Sequence, residues 1–293
     1  MSSDDAAAIG ARVFLLGCSR SGTTVVQRCL AHHPEACSFP ETGYFRQLGG
    51  NRFWAFLALQ GVVRGAAVRR AWARLTKVAP EVQVPERPYG PPLARTRIAV
   101  REFLRTMDAD AVRRGRRVWV EKTPRHYRYA RIIARHAREA LILHVVRDGR
   151  EVVASIRDRA IAYPDRFAAQ ADPAYGVREW NRAVRAAWAQ RHEAKVRTVL
   201  FSDFVAAPED SLRSLCAWIG LDYSPRMLKE SGIEEITRSQ EAWKSGAGSP
   251  ISPPLSKFSK VFDPGQQRWV DRHLDHATYR RLIEHLRGAN HAG

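Results

Sequence analysis

The stretch GCSRSGTT, from Gly17 to Thr24, follows the apolar run 13–16 and has the outline of a phosphate-binding loop. Four residues separate Gly17 from Gly22, and Thr24 stands where such loops carry a serine or threonine. The lysine that normally follows the second glycine is replaced by Thr23. Since that lysine contacts the β- and γ-phosphates of a nucleoside triphosphate, the sequence predicts a site for an anion with less charge than a triphosphate.

The loop offers several kinds of anion-binding group. Successive backbone N–H groups at a strand–helix turn point toward a bound anion, and the positive end of the helix adds to the attraction. Hydroxyl donors are available at Ser21, Thr23 and Thr24, while Arg20 adds a permanently charged guanidinium. Because a lone Gly-x4-Gly turn is more often an ordinary connection than a binding site, the assignment depends on the rest of the chain.

Four short apolar runs predict the strands of a buried parallel sheet, at residues 13–16, 118–120, 141–146 and 198–201. Each run is followed by a turn and then by a helix-like pattern, which is typical of an α/β sheet flanked by helices. We expect a single P-loop nucleotide-binding domain over residues 1–293, with a mostly helical insertion at about 44–115. A loop rich in Gly, Ser and Pro, at about 237–263, predicts a lid because it is long for a compact domain.

The chain carries 48 Lys and Arg against 30 Asp and Glu, which gives a formal net charge of +18. Only seven of the basic residues are lysine, and the remaining 41 are arginine. Such a bias arises either from a GC-rich genome or from selection for an anionic ligand. The arginines are scattered over predicted helices, without a basic tail or interleaved aromatic residues, so we expect no nucleic-acid partner.

The cysteines and the beginning of the chain indicate a cytoplasmic protein. The four cysteines form no CxxC pair and no zinc-type spacing, which favours buried free thiols in a reducing compartment. The first eleven residues lack the basic segment of a secretory signal. No apolar run approaches the roughly 20 residues that a membrane span requires.

Two further motifs lie downstream of the loop, and the three together resemble those of sulfotransferases that use 3′-phosphoadenosine 5′-phosphosulfate (PAPS). The segment GCSRSGTTVVQRCLAHHPEACSFPET (17–42) resembles their 5′-phosphosulfate loop, most closely that of the tyrosylprotein and Golgi-type carbohydrate enzymes. The segment VWVEKTPRHY (118–127) is similar to the Glu-Lys-Thr/Ser-Pro motif of several carbohydrate sulfotransferases. The segment LILHVVRDGREVVASIRDR (141–159) resembles the 3′-phosphate site, in which a serine follows a strand-terminal arginine by eight residues.

The resemblance implies that PAPS is the sulfuryl donor and that the product is 3′-phosphoadenosine 5′-phosphate (PAP). Arg147 and Ser155 would then hold the 3′-phosphate, a group that ATP lacks. The alternatives are an ion pair of Arg147 with Asp148 and a hydrogen bond of Ser155 to its own helix. The phosphosulfate would be held by the loop residues Arg20, Ser21, Gly22, Thr23 and Thr24.

Three residues are predicted to act in catalysis. Glu41 lies where the tyrosylprotein enzymes that this segment resembles carry their proposed general base; the alternative is a solvated loop carboxylate. Lys122, at the carboxyl end of a predicted strand, would face the ligand crevice and stabilise the bridging oxygen, and Arg20 would stabilise the sulfonate. His126 is a second candidate for proton transfer. No metal is expected, because these fixed cations take the place of Mg²⁺ and the histidines form no ligand set.

One part of the family pattern is not matched. Enzymes of this group often carry Tyr-Glu-Asp after the fourth strand, where this chain has Phe201, Ser202 and Asp203. The family's contacts through that tyrosine or glutamate are therefore not carried over to this chain.

The predicted function is transfer of the sulfuryl group of PAPS to a hydroxyl acceptor by in-line displacement. A carbohydrate, a glycolipid or a small natural product is favoured, and the prediction leaves peptide tyrosine and peripheral membrane contact open. Two alternatives remain: a P-loop kinase or nucleotide hydrolase with Asp203 on Mg²⁺, and a non-catalytic binder of polyanions or membrane surfaces. The segment 52–77, which begins with an aromatic stretch, either packs on the core, lines the acceptor pocket or faces a membrane.

Overall fold

The computed structural model describes residues 8–82, 90–229, 251 and 256–290, and its centre is a parallel sheet. The five strands lie in the order β2-β3-β1-β4-β5. Their bounds are β1 (Ala11–Gly17), β2 (Ala36–Phe39), β3 (Val118–Lys122), β4 (Leu141–Val146) and β5 (Val196–Leu200). Every pairing is parallel, which confirms the predicted α/β class with helices on both faces of the sheet.

The side chains of β1 show why the strands read as continuous apolar runs. Val13 and Leu15 pack into the core on one face, whereas Phe14 and Leu16 pack into the core on the other. A parallel strand that is covered on both faces needs apolar residues at every position. The hydrophobic runs are therefore a direct consequence of the two layers of helices.

Two features of the sheet differ from the sequence prediction. Strand β2 was not predicted, because it has only four residues, Ala-Cys-Ser-Phe, and these form no long apolar run. The prediction that residue 201 belongs to a strand is wrong, since β5 ends at Leu200 and Phe201 begins a helix. Because β2 ends at Phe39, Glu41 lies just beyond the carboxyl end of a strand of the sheet.

Fourteen α-helices cover the described ranges, and they are numbered here in chain order. The first seven are α1 (Thr23–Ala31), α2 (Tyr44–Gly49), α3 (Arg52–Leu59), α4 (Gly65–Val78), α5 (Arg95–Arg113), α6 (Ala130–His136) and α7 (Gly149–Ala162). The others are α8 (Pro164–Phe167), α9 (Pro173–Gln190), α10 (Phe201–Ala206), α11 (Pro208–Ile219), α12 (Phe258–Val261), α13 (Pro264–His273) and α14 (His276–Asn290). Single 3₁₀ segments occur at Pro92–Ala94, Pro124–Tyr129, Ala168–Gln170 and Pro225–Leu228.

The helices divide between the two faces of the sheet. Helices α1, α10 and α11 supply the apolar side chains of one core. Helices α2 to α7, α9, α13 and α14 contribute to the larger core on the other face. Within residues 8–82, 90–229 and 256–290, none of the helices combines the length and the apolar character that a bilayer crossing requires.

The predicted insertion and lid are described only in part. Helices α2 to α5 lie between β2 and β3, in the range where a mostly helical insertion was expected, and residues 83–89 lie outside the described part. Most of the predicted lid, residues 237–250 and 252–255, also lies outside the described residues. Where the description resumes, Ser256 donates a hydrogen bond to Glu151 at 2.6 Å and Lys257 pairs with Asp158 at 2.5 Å, so this segment contacts α7.

Candidate functional site

The loop between β1 and α1 has a conformation that depends on Gly22. Its φ of 96° lies in the left-handed region, and a Cβ at this position would lie 2.2 Å from Cδ2 of Phe201. Arg20 also has a positive φ, 73°, although it carries a side chain. The hydroxyl of Ser21 lies 2.7 Å from the carbonyl of Cys18 and 3.1 Å from that of Val145. Ser21 therefore closes the loop on itself and fastens it to β4 from inside, and its predicted contact with a ligand stays a prediction.

The N-terminus of α1 is available to an anion. Its N-cap residue is Gly22, which has no side chain, and no side-chain hydrogen bond caps the helix. The first N–H groups of a helix have no intrahelical partner, so those of Thr23 and Thr24 can bind a ligand. The side chain of Thr24 is partly exposed, whereas Thr23 is buried. The loop thus has the geometry of a phosphate-binding site.

Two of the predicted sites meet at the guanidinium of Arg20. Its Nε donates a hydrogen bond of 3.1 Å to Oγ of Ser155, and Nη1 of Arg147 lies 3.5 Å from the carbonyl oxygen of Arg20. The sequence assigned Arg20 to the phosphosulfate and the other two to the 3′-phosphate, but the structure places all three in one cluster. Burial, together with the charge of Arg147, lowers the pKa of Arg20. A bound anion would offset this unfavourable electrostatic environment.

Arg147 is held at the end of β4 by its backbone and its side chain. Trp180 Nε1 donates to the carbonyl of Arg147 at 2.8 Å, and the guanidinium lies 3.4 Å from Glu151 and 5.6 Å from the ring centre of Phe201. Asp148, the partner considered for Arg147, caps α7 through the backbone N–H groups of residues 150 and 151. Burial lowers the pKa of Arg147.

Glu41 and Lys122, both predicted to be catalytic, form an ion pair. Lys122 Nζ lies 2.7 Å from Oε1 of Glu41 and 3.5 Å from Oγ1 of Thr24. The side chain of Lys122 is fully buried, whereas that of Glu41 is 29% exposed and borders a cavity. The pair therefore connects the loop to a space that a second molecule can enter.

A buried carboxylate that the sequence analysis missed holds the segment around Glu41 in place. Glu121 accepts hydrogen bonds of 2.6 Å from the hydroxyls of Thr42 and Thr123, and lies 3.1 Å from Nδ1 of His126. Gly43 N–H donates to Thr123 Oγ1 at 3.1 Å. Burial alone would raise the pKa of Glu121, but His126 and the two hydroxyls lower it below its usual value.

His126 is part of this network and does not reach the ion pair of Glu41. Its ring is fully buried, with Nδ1 toward Glu121 and a T-shaped contact of 5.3 Å to the ring of Phe45. The only signal in the sequence for the network was the position of Glu121 beside Lys122 on a strand. A carboxylate in a strand that is buried on both faces must find hydrogen-bond partners there.

Arg159 is a second residue that the sequence analysis did not single out. It lies at the end of the motif that also contains Arg147 and Ser155. Burial and the nearby charge of Arg20 lower its pKa to about 10. Its Nη2 donates to Gln170 Oε1 at 2.6 Å, and its buried Nε has no hydrogen-bond partner among the described residues. Arg159 therefore extends the positive cluster of Arg20 and Arg147.

The groups follow one another along the carboxyl edge of the sheet. Glu41 follows β2, Lys122 ends β3, the loop follows β1, Arg147 follows β4 and Phe201 follows β5. In open α/β sheets this edge is where ligands bind. The predicted nucleotide contacts thus lie on the side of β1 and β4, and the predicted base lies on the side of β2 and β3. Among the residues that the structure describes, no group of His, Cys, Asp and Glu has the arrangement of a metal site.

Comparison with known proteins gives the same fold. A family model described as "Sulfotransferase family" matches residues 12–225. The sulfotransferase domain of the Synechococcus PCC 7002 olefin synthase is 19% identical, with a TM-score of 0.54 over 89% of this chain and 92% of that one. Sulfotransferase STF1 of Mycobacterium tuberculosis H37Rv is 15% identical, with a TM-score of 0.51 over 93% and 79% of the two chains.

A mammalian structure is also similar. Mouse sulfotransferase SULT7A1, solved in complex with PAP, is 13% identical to this chain, with a TM-score of 0.52 over 95% of this chain and 89% of that one. None of the curated proteins compared with the chain matches it.

Proposed function

The chain belongs to the sulfotransferase family, and we propose that it transfers the sulfuryl group of PAPS to a hydroxyl acceptor. The observation that carries the proposal is the convergence of Arg20, Arg147 and Ser155 beside a phosphate-binding loop that ends next to a Lys–Glu pair. PAPS supplies the sulfuryl group, whose bond to the 5′-phosphate oxygen breaks as its bond to the acceptor oxygen forms, leaving PAP.

The loop, together with Arg147 and Ser155, suits a donor with two separate anionic groups. Arg20 and the first turn of α1, with Ser21, Gly22, Thr23 and Thr24, would hold the 5′-phosphosulfate. Arg147 and Ser155 would hold the 3′-phosphate through charge-assisted hydrogen bonds. Burial lowers the pKa of both arginines, and the charge of Arg147 lowers that of Arg20 further, so an anion bound between them would relieve an unfavourable environment.

Glu41 is proposed to take the proton of the acceptor hydroxyl. Its carboxylate borders a cavity on the side of β2 and β3, away from Arg147, so an acceptor can approach it there. Lys122 can donate to Glu41 or toward the loop, because its ammonium lies 2.7 Å from Glu41 and 3.5 Å from Thr24. A lysine turned toward the loop stabilises the oxygen that leaves and makes Glu41 available as the base.

The acceptor is proposed to be a carbohydrate, a glycolipid or a small natural product, and the location to be cytoplasmic. The cytoplasmic location is supported by the four cysteines, which are all free and buried. The complex of mouse SULT7A1 with PAP supports the choice of donor, since that protein shares this fold.

Calorimetric titration with PAP and with ADP tests the donor, because the two nucleotides differ by the 3′-phosphate. We expect tight PAP binding by the wild type, weak ADP binding, and a loss of about tenfold or more in PAP affinity in Arg147→Ala. Arg213→Ala is the matched control, since Arg213 is an exposed arginine paired with Glu209 on α11. Equal affinities for PAP and ADP would contradict the assignment of the 3′-phosphate site. Mg²⁺-dependent ATP turnover would favour the kinase alternative.

The catalytic pair is tested by the rate of PAP formation from PAPS in the presence of a panel of hydroxyl compounds. We expect Glu41→Ala and Lys122→Ala to lose about 100-fold or more in turnover while each retains PAP binding. Unchanged turnover in either variant would remove that residue from the mechanism without affecting the fold assignment.

A further inference from the structure

Three large apolar side chains are exposed near one another on the helical insertion. Phe53 and Phe56 are 62% and 60% exposed, and their three-residue spacing places them on one face of α3. Leu93 is 79% exposed and lies beside the end of α3, because its carbonyl oxygen is 2.5 Å from the position of a Cβ added at Gly61. We call Phe53, Phe56 and Leu93 the apolar patch.

The opposite face of α3 already packs on the protein. Ala58 is fully buried, and Ala55 and Leu59 pack against the larger core. This face holds the helix in place, and the two phenylalanines are not part of it. Because a helix face that meets only water normally carries polar side chains, the phenylalanines indicate an apolar partner.

Two arginines continue the surface of the apolar patch. The guanidinium of Arg64 stacks on Trp54 at 4.2 Å from the ring centre, and the Trp54 ring lies 5.3 Å from that of Phe53 in a T-shaped contact. Arg69 folds back toward Arg64, since its Nη1 lies 3.8 Å from the position of a Cβ added at Gly65. Both arginines are exposed. Aromatic rings and guanidinium groups therefore form one continuous surface.

The segment that carries α3 and α4 contains no acidic residue. The 39 residues from 42 to 80 include six arginines and one lysine, but neither Asp nor Glu. At the average of the whole chain, 30 acidic residues in 293, a stretch of this length would contain about four. The positive charge beside the apolar patch is therefore not reduced by carboxylates of its own segment.

The other exposed large apolar side chains of the described residues lie among carboxylates. Ile161 and Tyr163 are located between Asp158 and Asp165, and Trp269 is followed two residues later by an aspartate. A carboxylate next to an apolar side chain opposes contact with an anionic surface through repulsion. The apolar patch is thus distinguished by having exposed apolar side chains and positive charge in the same place.

From this combination we infer that the apolar patch inserts into the interfacial region of an anionic lipid membrane, while Arg64 and Arg69 contact lipid phosphates. Protruding aromatic and leucine side chains enter the headgroup region without requiring a partner of complementary shape, and arginines on the same surface are attracted to anionic lipids. The guanidinium fork matches the oxygens of a phosphate. The contact is peripheral, and it does not depend on the proposed enzymatic function.

The test is flotation of the full chain with vesicles of phosphatidylcholine alone and with vesicles that also contain phosphatidylglycerol, at physiological ionic strength. We expect the wild type to bind the mixed vesicles, and to bind phosphatidylcholine about tenfold more weakly or less. The double variant Phe53→Ser/Phe56→Ser should lose about tenfold or more of the binding to mixed vesicles, because it removes the inserted rings. Arg64→Gln/Arg69→Gln should lose about tenfold, because it removes two charges next to the anionic surface.

Matched controls change exposed residues elsewhere. Ile161→Ser removes an apolar side chain that is 61% exposed, and Arg213→Gln/Arg226→Gln removes two positive charges from the other face of the sheet. Both controls should bind the mixed vesicles as the wild type does. Thermal unfolding of every variant near the wild-type temperature is expected, because the changed positions are exposed.

Failure of the wild type to bind the mixed vesicles would overturn the inference. Wild-type binding by Phe53→Ser/Phe56→Ser would overturn it too, because attraction by the net charge alone would then explain the result. Light scattering without lipid tests another occupant: a dimer that dissociates in the phenylalanine variant would assign the apolar patch to a second copy of the chain and overturn the membrane contact. PAP binding is measured separately, and its failure refutes the proposed function without affecting the membrane contact.

Discussion

Replacement of Glu121 by Gln keeps the shape of the buried network beneath Glu41 and removes its charge. The carboxylate accepts two hydroxyl hydrogen bonds of 2.6 Å, from Thr42 and Thr123, and faces His126 at 3.1 Å. A hydrogen bond to a charged group is worth about 1 kcal/mol more than one to a neutral group. With three such contacts in a fully buried site, we expect Glu121→Gln to lower the free energy of unfolding by about 3 kcal/mol at pH 7.

The loss should depend on pH in a defined direction. The pKa of Glu121 is lower in the folded protein than the ordinary value of 4.5. Its contribution is therefore fully present above about pH 4.5, and it disappears as the pH falls through the lower folded value. Urea unfolding at pH 7 and below pH 4.5 should show a large difference between variant and wild type at pH 7 and a smaller one in acid.

The control for this experiment is Glu209→Gln, which removes an exposed carboxylate paired with Arg213. That variant should change the free energy of unfolding by about 0.5 kcal/mol or less, because exposed ion pairs contribute little. A loss below about 1 kcal/mol in Glu121→Gln, or a loss that is the same at both pH values, would refute the role given to the buried charge.

Three other variants test the loop and the sheet. Gly22→Ala should lower the free energy of unfolding by about 2 kcal/mol or more and should also weaken PAP binding, because the added Cβ would lie 2.2 Å from Phe201. Gly115→Ala is the control in thermal unfolding. Gly115 has a φ of 66° and an added Cβ there would meet nothing within 4 Å, so this variant tests backbone strain alone. Ser155→Ala should lower PAP affinity about three- to tenfold in calorimetry, and an unchanged affinity would exclude this hydroxyl from the site. Burial lowers the pKa of His144 to about 4. The unfolded chain takes up a proton at this residue between pH 6.5 and 4, so His144 should contribute a loss of about 3 kcal/mol over that interval. Urea unfolding of His144→Leu should lack this contribution.

The sheet was largely predictable because burial on both faces leaves a strong apolar signal. The run 141–146 coincides with β4, and the runs 13–16 and 118–120 lie inside β1 and β3. The signal fails where a strand is short, as in β2, whose four residues include a cysteine and a serine. It also fails at Phe201, which is apolar because its ring packs against Gly22 and not because it belongs to a strand.

The candidate site was predictable residue by residue, but its contacts were not. Motif position alone selected Glu41 and Lys122, and the structure joins them at 2.7 Å. The hydrogen bond from Arg20 to Ser155 spans 135 residues of sequence, and no local pattern could indicate that the two predicted phosphate sites share a guanidinium. Glu121 was overlooked for a different reason. Carboxylates are rarely buried, so a glutamate in a strand is expected to face solvent unless its partners are known.

The net charge of +18 acquires a meaning only when the arginines are sorted by their partners. A compositional bias toward arginine adds positive charge everywhere, and a folded chain can neutralise much of it locally, as the pairs Arg12–Asp108 and Arg150–Asp271 do. A bias alone would leave the surplus scattered over exposed surfaces. Arg20, Arg147 and Arg159 are instead partly buried, and burial lowers the pKa of each of them. Because desolvated like charges are costly to hold together, this cluster is best explained by an anionic ligand that binds among the three guanidinium groups.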